Sequence, residues 1–221
     1  MSPKENKISY KRVRRIKTLP DFNLETKLSR AGFNRIAGVD EVGRGSLAGP
    51  VVAAAVILDP SNIPNGLNDS KKLSKKRREE LFSLLLDTAF HSVGHASVKE
   101  IDELNILRAS HLAMVRALEG LDMQPDYVLI DGNIVPKALK ISASSIVRGD
   151  SKSVSIAAAS IIAKIIRDKI MVDLGQHFPG FGWEMNAGYP TSAHILALKN
   201  LGVTLHHRVS FRPVHNILYK E

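Results

Sequence analysis

The sequence contains no cysteine among its 221 residues. Disulfide bonds and thiolate metal sites are therefore excluded, and a reducing cytoplasm is the simplest location to expect. Long hydrophobic runs are also missing, since the longest apolar stretches, such as Val51 to Leu58, are far too short to cross a bilayer. The N-terminus carries charge from Lys4 to Lys17 with no apolar core behind it, so we expect neither a secretory signal nor a membrane partner.

Acidic residues are outnumbered by basic ones. The 31 Lys and Arg against 22 Asp and Glu give a formal net charge of +9. Such a balance is typical of proteins with phosphate-rich partners, and by itself it indicates nothing more specific. Basic residues are densest near the start, where the first 30 residues hold nine Lys and Arg and three acids. We predict a basic arm over residues 1–33, which either adds phosphate contacts or is a solvated tail.

The remainder of the chain, residues 34–221, has the pattern of a single α/β domain. Apolar, β-branched runs predict two strands, Ile36 to Val42 and Val51 to Leu58, joined by the loop 43–50. An amphipathic helix is predicted from Ser74 to Asp87, and an almost wholly apolar helix starts at Ser153. The other predicted elements are strands at 91–98, 127–130 and 141–147 and helices at 101–120 and 192–201.

Four acidic residues lie at or just beyond the ends of predicted strands, where an open sheet presents its functional side chains. They are Asp40, Glu41, Asp131 and Asp150. Like charges at close range repel, so such a cluster stays ionised only if divalent cations neutralise it. Oxygen ligands without Cys or a His pattern favour Mg²⁺ or Mn²⁺ over zinc. Two such ions could activate a water and stabilise the leaving oxygen in an attack on a phosphodiester.

Two observations weigh against a simple cluster. For any single aspartate at a strand end, an ordinary surface position is the better interpretation. Neighbours on a regular strand also point to opposite faces, so Asp40 and Glu41 reach one site only if the chain distorts there. The glycines at 43 and 45 are compatible with a bulge and do not prove one.

The loop after the first strand begins with Gly43-Arg44-Gly45. Glycines here would let backbone amides approach a phosphate or a sugar hydroxyl while Arg44 supplies charge, although a tight turn needs the same glycines. A dinucleotide-binding loop is disfavoured, because the spacing of Gly43, Gly45 and Gly49 differs from the usual fingerprint and a strand follows instead of a helix.

The segment from Gly38 to Pro50, GVDEVGRGSLAGP, resembles the signature that opens the type 2 ribonucleases H, bacterial ribonuclease HII in particular. Further matches follow in the order of that family, and together they cover roughly residues 34–215. These are Asn68 to Leu73, Asp131-Gly132, Gly149 to Lys152, Ala157 to Lys164, Arg167-Asp168, Asn186 to Tyr189 and His207 to Phe211.

The resemblance implies a ribonuclease H-like mixed β-sheet flanked by helices, with a helical C-terminal region. It implies a monomeric, metal-dependent endonuclease that cuts the RNA strand of RNA–DNA hybrids and cuts 5′ of single ribonucleotides in duplex DNA. The implied chemistry is two-metal hydrolysis with Mn²⁺ or Mg²⁺, giving 3′-hydroxyl and 5′-phosphate ends. The residues that would bind metal and carry catalysis are Asp40, Glu41, Asp131 and Asp150.

The resemblance also implies a set of substrate contacts. Gly43, Arg44 and Gly45 become the loop that senses the 2′-hydroxyl, the group that distinguishes RNA from DNA. Tyr189 becomes the residue that stacks beneath the sugar next to the ribonucleotide. Where many relatives carry lysine before the glycine and this tyrosine, the chain has Ala187, which predicts one phosphate contact fewer. The remaining implied contacts are Lys71, Lys72, Ser160 and Lys164.

These contacts have ordinary alternatives. A basic run at a helix start, such as Lys71 to Arg78, is usually a solvated face. Ser160 and Lys164 share a helix face and suit a phosphate, but they also suit a packing serine and a lysine that extends to the surface. For the whole chain, the alternatives are a non-catalytic nucleic-acid-binding protein, a ribonuclease HIII, and a transposase or Holliday-junction nuclease of the same broad fold.

Overall fold

Five strands form one mixed sheet in the computed structural model, which describes residues 19–219 of the chain. The sheet order is β3-β2-β1-β4-β5. Strand β1 pairs antiparallel with β2 and parallel with β4, while β2–β3 is antiparallel and β4–β5 parallel. The strands are β1 (Ile36–Val42), β2 (Val51–Leu58), β3 (Ala89–Ala96), β4 (Tyr127–Asp131) and β5 (Ala143–Ile146).

Helices cover both faces of this sheet and make up most of the C-terminal region, as predicted. None of the helices within residues 19–219 has the length and apolar character needed to cross a membrane. The α-helices of the described chain are α1 (Asn23–Arg30), α2 (Lys75–Thr88), α3 (Val98–Leu104), α4 (Ile106–Glu119), α5 (Val154–His177), α6 (Trp183–Asn186), α7 (Ser192–Leu201) and α8 (Arg212–Tyr219).

Helix α5 is the long apolar helix that the sequence predicts, and it packs against the centre of the sheet. Its first half is buried on nearly all sides, with Ala157, Ala158 and Ala159 among the residues without exposed surface. The approach is so close that a Cβ on Gly38 would overlap the backbone of Ser155. This contact fixes the start of α5 beside β1. It also fixes the position of Asp150, which lies just before α5.

The opposite face of the sheet is covered by α3 and α4. Ala37 and Val39 point into that core, together with Val128 and Ile130 of β4. Because successive strand residues alternate between faces, Gly38 and Asp40 point the other way, towards α5. One face of β1 therefore packs into the hydrophobic core, and the other face, towards α5, carries Asp40.

Several predicted boundaries differ from the observed ones, and capping explains two of the differences. The helix predicted at 101–120 is two helices, because Asn105 adopts a φ of 70° and its side chain accepts hydrogen bonds from the amides of Leu107 and Arg108. The strand predicted at 91–98 ends at Ala96, because Ser97 and Glu100 form a capping box that starts α3.

The second half of the predicted N-terminal arm contains helix α1, which contacts the start of α5. Glu25 of α1 is fully buried. Its Oε1 accepts hydrogen bonds from the Ser153 hydroxyl at 2.5 Å and from the Ser155 amide at 3.1 Å. Residues 19–33 are therefore not simply a solvated tail. Residues 1–18 lie outside the described part of the chain, and a domain boundary at residue 34 stays a prediction.

We predict that Glu25→Ala lowers the free energy of unfolding by about 1–3 kcal/mol, the usual cost of leaving buried donors unpaired. The matched control is Glu79→Ala, since Glu79 is an exposed helical glutamate of α2 and its replacement should change stability by about 0.5 kcal/mol or less. Urea unfolding followed by circular dichroism measures both. Equal effects of the two substitutions would contradict the anchoring role of Glu25.

Candidate active site

Two of the predicted acids are brought together by the parallel pairing of β1 with β4. The register pairs Val39 with Ile130, so Asp40 and Asp131 come at the next position of each strand. Alternation of side chains places both on the face that is covered by α5. Asp40 is 7% exposed, and its Oδ1 accepts a hydrogen bond from the amide of Glu41 at 2.8 Å.

A third acid joins them from the chain segment that leads into α5. Asp150 lies in a short 3-10 helix, Gly149–Ser151, and is 7% exposed. The amide of Gly149 donates a 2.6 Å hydrogen bond to Oδ1 of Asp131, which ties this segment to the end of β4. One carboxylate oxygen from each of Asp40, Asp131 and Asp150 lies within 4.8 Å of the others.

This proximity shifts the protonation of the cluster. Burial, followed by the charges of Glu41 and Asp131, raises the pKa of Asp40 well above its ordinary value. Burial also raises the pKa of Asp150, and Asp69 and Asp131 add to the effect. Two buried carboxylates and the partly buried Asp131 repel one another at this range unless a cation lies between them. The donors are all hard oxygens, so the cluster suits a divalent ion of the Mg²⁺ or Mn²⁺ type.

Glu41 differs from the other predicted acids. Strand β1 stays in regular register through Val42, so the sequence-based possibility of a bulge is not realised. Glu41 consequently lies outside the group of three carboxylates, and its Oε1 accepts a 3.1 Å hydrogen bond from Arg44. Burial raises the pKa of Glu41, although the Arg44 guanidinium acts to lower it. The second oxygen, Oε2, is buried without a hydrogen-bond partner among the described residues.

The loop 43–50 begins with a backbone that suits glycine only. Gly43 has a φ of 94°, and a Cβ there would overlap the side chain of Arg167. Gly45 faces Tyr189, since a Cβ on Gly45 would lie 3.7 Å from its ring. The structure therefore brings the predicted 2′-hydroxyl loop and the predicted stacking residue next to each other, although they are more than 140 residues apart in sequence.

The predicted lysines differ in how they relate to the acids. Lys71 is exposed, and although burial lowers its pKa, the charges of Asp40, Asp69 and Asp150 raise it overall. Lys72 donates a 2.6 Å hydrogen bond to the Ser151 hydroxyl, beside Asp150. Both lysines therefore lie near the acidic cluster, at the start of the basic run.

A cleft of about 350 Å³ is lined by half of the predicted site residues. Ser160 is almost fully buried there, and its hydroxyl donates to the carbonyl of Ala157 at 2.8 Å. Lys164 forms a 2.6 Å ion pair with Asp168. The cleft is lined by Asp40, Glu41, Val42, Ser70, Lys71, Ser160, Lys164 and Tyr189.

Tyr189 is held by a histidine that the sequence did not single out. The carbonyl of Tyr189 accepts a 3.0 Å hydrogen bond from Nδ1 of His194, whose Nε2 accepts a 3.0 Å bond from the Trp183 indole. This pattern requires a neutral ring, and burial lowers the pKa of His194 accordingly. His207 adds a 3.2 Å contact to the same Nε2.

Two fully buried arginines hold the loop 43–50 from beneath. Arg208 donates two hydrogen bonds to the carbonyl of Gly49, at 3.0 and 2.9 Å, and one to the carbonyl of Arg44 at 3.1 Å. Arg167 donates to the carbonyls of Pro50 and Ala48 at 3.0 and 3.2 Å. Both belong to matched sequence segments, but sequence gave no sign that their side chains are buried.

The mixed sheet with helices on both faces, and the closely spaced aspartates of β1 and β4, are typical of a metal-dependent nuclease with the ribonuclease H fold. Comparison with known proteins narrows this class. The family model described as Ribonuclease HII matches residues 37–214, and the chain belongs to that family. It is thus an enzyme, a ribonuclease H endonuclease. This assignment excludes the alternative that the chain is a non-catalytic nucleic-acid-binding protein.

Individual proteins agree with this assignment. The chain is 63% identical to ribonuclease HII of Ruegeria pomeroyi over 204 residues, which is 92% of this chain and 87% of the relative. It is similar to the crystal structure of ribonuclease H2 from Pyrococcus horikoshii, at 30% identity and a TM-score of 0.70, covering 85% of this chain and 98% of that one.

A more distant structure shares the fold alone. Bst-RNase HIII in complex with Mn²⁺ is 19% identical, with a TM-score of 0.67, and the match covers 84% of this chain and 70% of that one. The predicted ribonuclease H-like α/β fold is confirmed.

We predict that Asp40→Asn makes the metal-free protein more stable at neutral pH. A carboxyl group whose pKa is raised by folding destabilises the folded state above its ordinary pKa of 3.8, and progressively more as pH rises through the folded value. The neutral amide removes this penalty, and each kcal/mol regained should raise the unfolding midpoint by about 2–4 °C. The gain should shrink as the pH falls towards 4.

Thermal unfolding in EDTA and in Mn²⁺ measures both parts of this prediction. Mn²⁺ should stabilise the unchanged protein by binding the folded state, and it should stabilise the Asp40→Asn variant much less. Asp59→Asn serves as the control, because Asp59 is exposed and remote from the cluster in sequence. Lower stability of Asp40→Asn in EDTA, or equal stabilisation of all three proteins by Mn²⁺, would refute the repulsion argument.

Proposed function

We propose that the enzyme hydrolyses the RNA strand of RNA–DNA hybrids and cuts on the 5′ side of single ribonucleotides embedded in duplex DNA. The observation that carries this proposal is the position of Tyr189, which Gly45 faces, in the same cleft as Asp40 of the acidic cluster. A site that selects ribonucleotides needs contacts to the 2′-hydroxyl next to the groups that cut the backbone. The proximity of the loop 43–50 and Tyr189 to Asp40 supports such a site.

Asp40, Asp131 and Asp150 are the proposed metal ligands and catalytic acids, with Glu41 at the edge of the same cleft. When bound, two divalent cations, Mn²⁺ or Mg²⁺, would supply an activated water and stabilise the leaving oxygen of an in-line displacement, which gives 3′-hydroxyl and 5′-phosphate ends. The hydrogen bond from Gly149 orients the Asp131 carboxylate. The ion pair with Arg44 holds Glu41 in the lining of the cleft. The buried Oε2 of Glu41, which has no hydrogen-bond partner among the described residues, could then accept a bond from a ligand in the cleft.

The substrate contacts proposed for the cleft follow from its lining. Backbone amides of Gly43, Arg44 and Gly45 would approach the 2′-hydroxyl, since the glycines leave no side chain in the way. Tyr189, 36% exposed, presents its ring for stacking on the adjacent sugar. A second group, Lys71, Lys72, Ser160 and Lys164, would contact the phosphates on either side.

Ala187 has a structural role that comes from its backbone and does not require a lysine side chain. Its φ of 48° turns the chain before Tyr189, and its carbonyl accepts a 2.9 Å hydrogen bond from Arg167. The predicted loss of one phosphate contact therefore concerns grip on the substrate and leaves the turn in place. A monomer and a cytoplasmic location, the latter favoured by the absence of cysteine, stay predictions.

We predict that the protein cuts a DNA duplex with one embedded ribonucleotide in Mg²⁺ or Mn²⁺, cuts nothing in EDTA, and leaves an all-DNA duplex intact. Asp131→Asn should lower the rate by more than about a hundredfold. A loss of up to about a hundredfold is usual when the changed residue only supports a metal ligand, so the loss of a ligand itself should exceed it. Asp122→Asn, an exposed aspartate outside the cluster, should cut normally. Gel electrophoresis of end-labelled strands gives the position and rate of cutting.

Two results would count against this function. Tight binding of the duplex with no cutting in either metal would remove the catalytic role from the acids. Equal cutting of the all-DNA duplex would remove ribonucleotide selection from the loop and Tyr189.

We predict that Lys71→Ala and Lys76→Ala differ, although both lysines belong to one exposed basic run. Lys71 lines the cleft, and the charges of Asp40, Asp69 and Asp150 raise its pKa, whereas Lys76 is not among the residues that line the cleft. Loss of a phosphate contact should reduce the slope of log affinity against log salt by about 1, so Lys71→Ala should show this change. Fluorescence anisotropy in EDTA, at several salt concentrations, measures the slope. A similar reduction for Lys76→Ala would indicate a diffuse basic surface instead of a defined contact.

A further inference from the structure

Arg167 connects the two parts of the cleft that are proposed to contact the ribonucleotide. It lies in α5 and has no exposed surface. Its guanidinium donates to the carbonyls of Ala48 and Pro50 in the loop 43–50, at 3.2 and 3.0 Å. The same group donates to the carbonyl of Ala187, two residues before Tyr189, at 2.9 Å. One rigid side chain thus spans both segments.

The two segments also contact each other directly, above this guanidinium. The amide of Leu47 donates to the carbonyl of Gly188 at 2.7 Å. The side chain of Arg167 fills the space beneath Gly43, and its guanidinium carbon lies 5.8 Å from the centre of the Tyr189 ring. The first glycine of the loop and the tyrosine are therefore both in contact range of one arginine.

Stability alone does not account for a charge in this position. All three hydrogen bonds that Arg167 donates within residues 19–219 end on neutral carbonyls, and burial lowers its pKa. Arg208 lies near enough for the Arg167 charge to lower its pKa further. The charge of Asp168 acts to raise the pKa of Arg167, but no carboxylate forms an ion pair with Arg167 within residues 19–219. A buried charge outside an ion pair is costly, and an apolar side chain would fill the same space without that cost. What an apolar side chain lacks is the planar fork of donors that reaches two loops at once.

We propose that Arg167 is a positioning residue for ribonucleotide selection, because it fixes the distance between the loop 43–50 and Tyr189. This inference rests on the proposed function, since it assigns the setting of that distance to a residue that does not touch the substrate. A single ribonucleotide in DNA offers one 2′-hydroxyl beside one deoxyribose, so both contacts must be made in a single register. An uninterrupted RNA–DNA hybrid has a 2′-hydroxyl on every nucleotide of its RNA strand. Cutting of the hybrid should therefore depend less on the exact distance between the loop 43–50 and Tyr189.

The test compares Arg167→Lys and Arg167→Met with the unchanged protein. Lysine keeps the charge without the fork, and methionine fills the space without burying an ammonium group. Arg116→Lys and Arg116→Met are the matched controls, because Arg116 also donates to a backbone carbonyl, that of His95, but belongs to α4 and pairs with Glu100. Single-turnover rates are measured on a DNA duplex with one ribonucleotide and on an uninterrupted hybrid, with affinity in EDTA and thermal unfolding measured in parallel.

We expect the Arg167 variants to bind the single-ribonucleotide duplex with unchanged affinity and to cut it on the order of ten- to a hundredfold more slowly, as a small misplacement of contacting groups does. The rate on the uninterrupted hybrid should fall much less. A purely structural role would lower both rates together, in proportion to the folded fraction, as in the Arg116 variants.

Several outcomes would overturn the inference. One is an unchanged ratio of the two rates in folded Arg167 variants. Another is loss of the cooperative unfolding transition in both variants, because the arginine would then maintain the fold and not the spacing of two loops. Failure of the unchanged protein to cut at the ribonucleotide would instead refute the proposed function itself, so the two failures are distinguishable.

Discussion

The repulsion among three closely spaced carboxylates is the constraint on which the rest of the structure depends. One carboxylate oxygen from each of Asp40, Asp131 and Asp150 lies within 4.8 Å of the others, and burial together with neighbouring charges raises the pKa values of Asp40 and Asp150. A rigid backbone is needed to keep the three carboxylates this close together. The central pairing of β1 with β4 supplies two of the positions, and the tight packing of α5 against Gly38 supplies the third.

The loop 43–50 depends on contacts with α5 and the C-terminal region. Several of its carbonyls accept hydrogen bonds from the buried guanidiniums of Arg167 and Arg208. Backbone hydrogen bonds join Leu47 to Gly188 and Gly49 to His206. The segment that carries Tyr189 is in turn held by His194. Residues distant in sequence therefore determine the conformation of the loop.

Sequence patterns predicted the strands β1 and β2 to the residue, because β-branched runs between glycine-rich turns leave few alternatives. The acids at strand ends were also predictable, and so was the doubt about Glu41, since alternation along a strand is a local rule. The break at Asn105 and the start of α3 were missed because one side-chain cap outweighs an apolar pattern that continues through it. The burial of Arg167 depends on contacts with residues more than 100 positions away, which no local pattern records.

The bonds from Arg208 to Gly49 and Arg44 join residues about 160 positions apart, and they have a consequence for synthesis on the ribosome. All three aspartates of the cluster are synthesised before Arg208. A nascent or prematurely terminated chain that ends between residue 150 and Arg208 therefore contains the three aspartates but lacks the guanidinium that binds the carbonyls of Gly49 and Arg44. During translation, the acidic cluster is thus complete in sequence before the side chain that orders the loop 43–50 has been added.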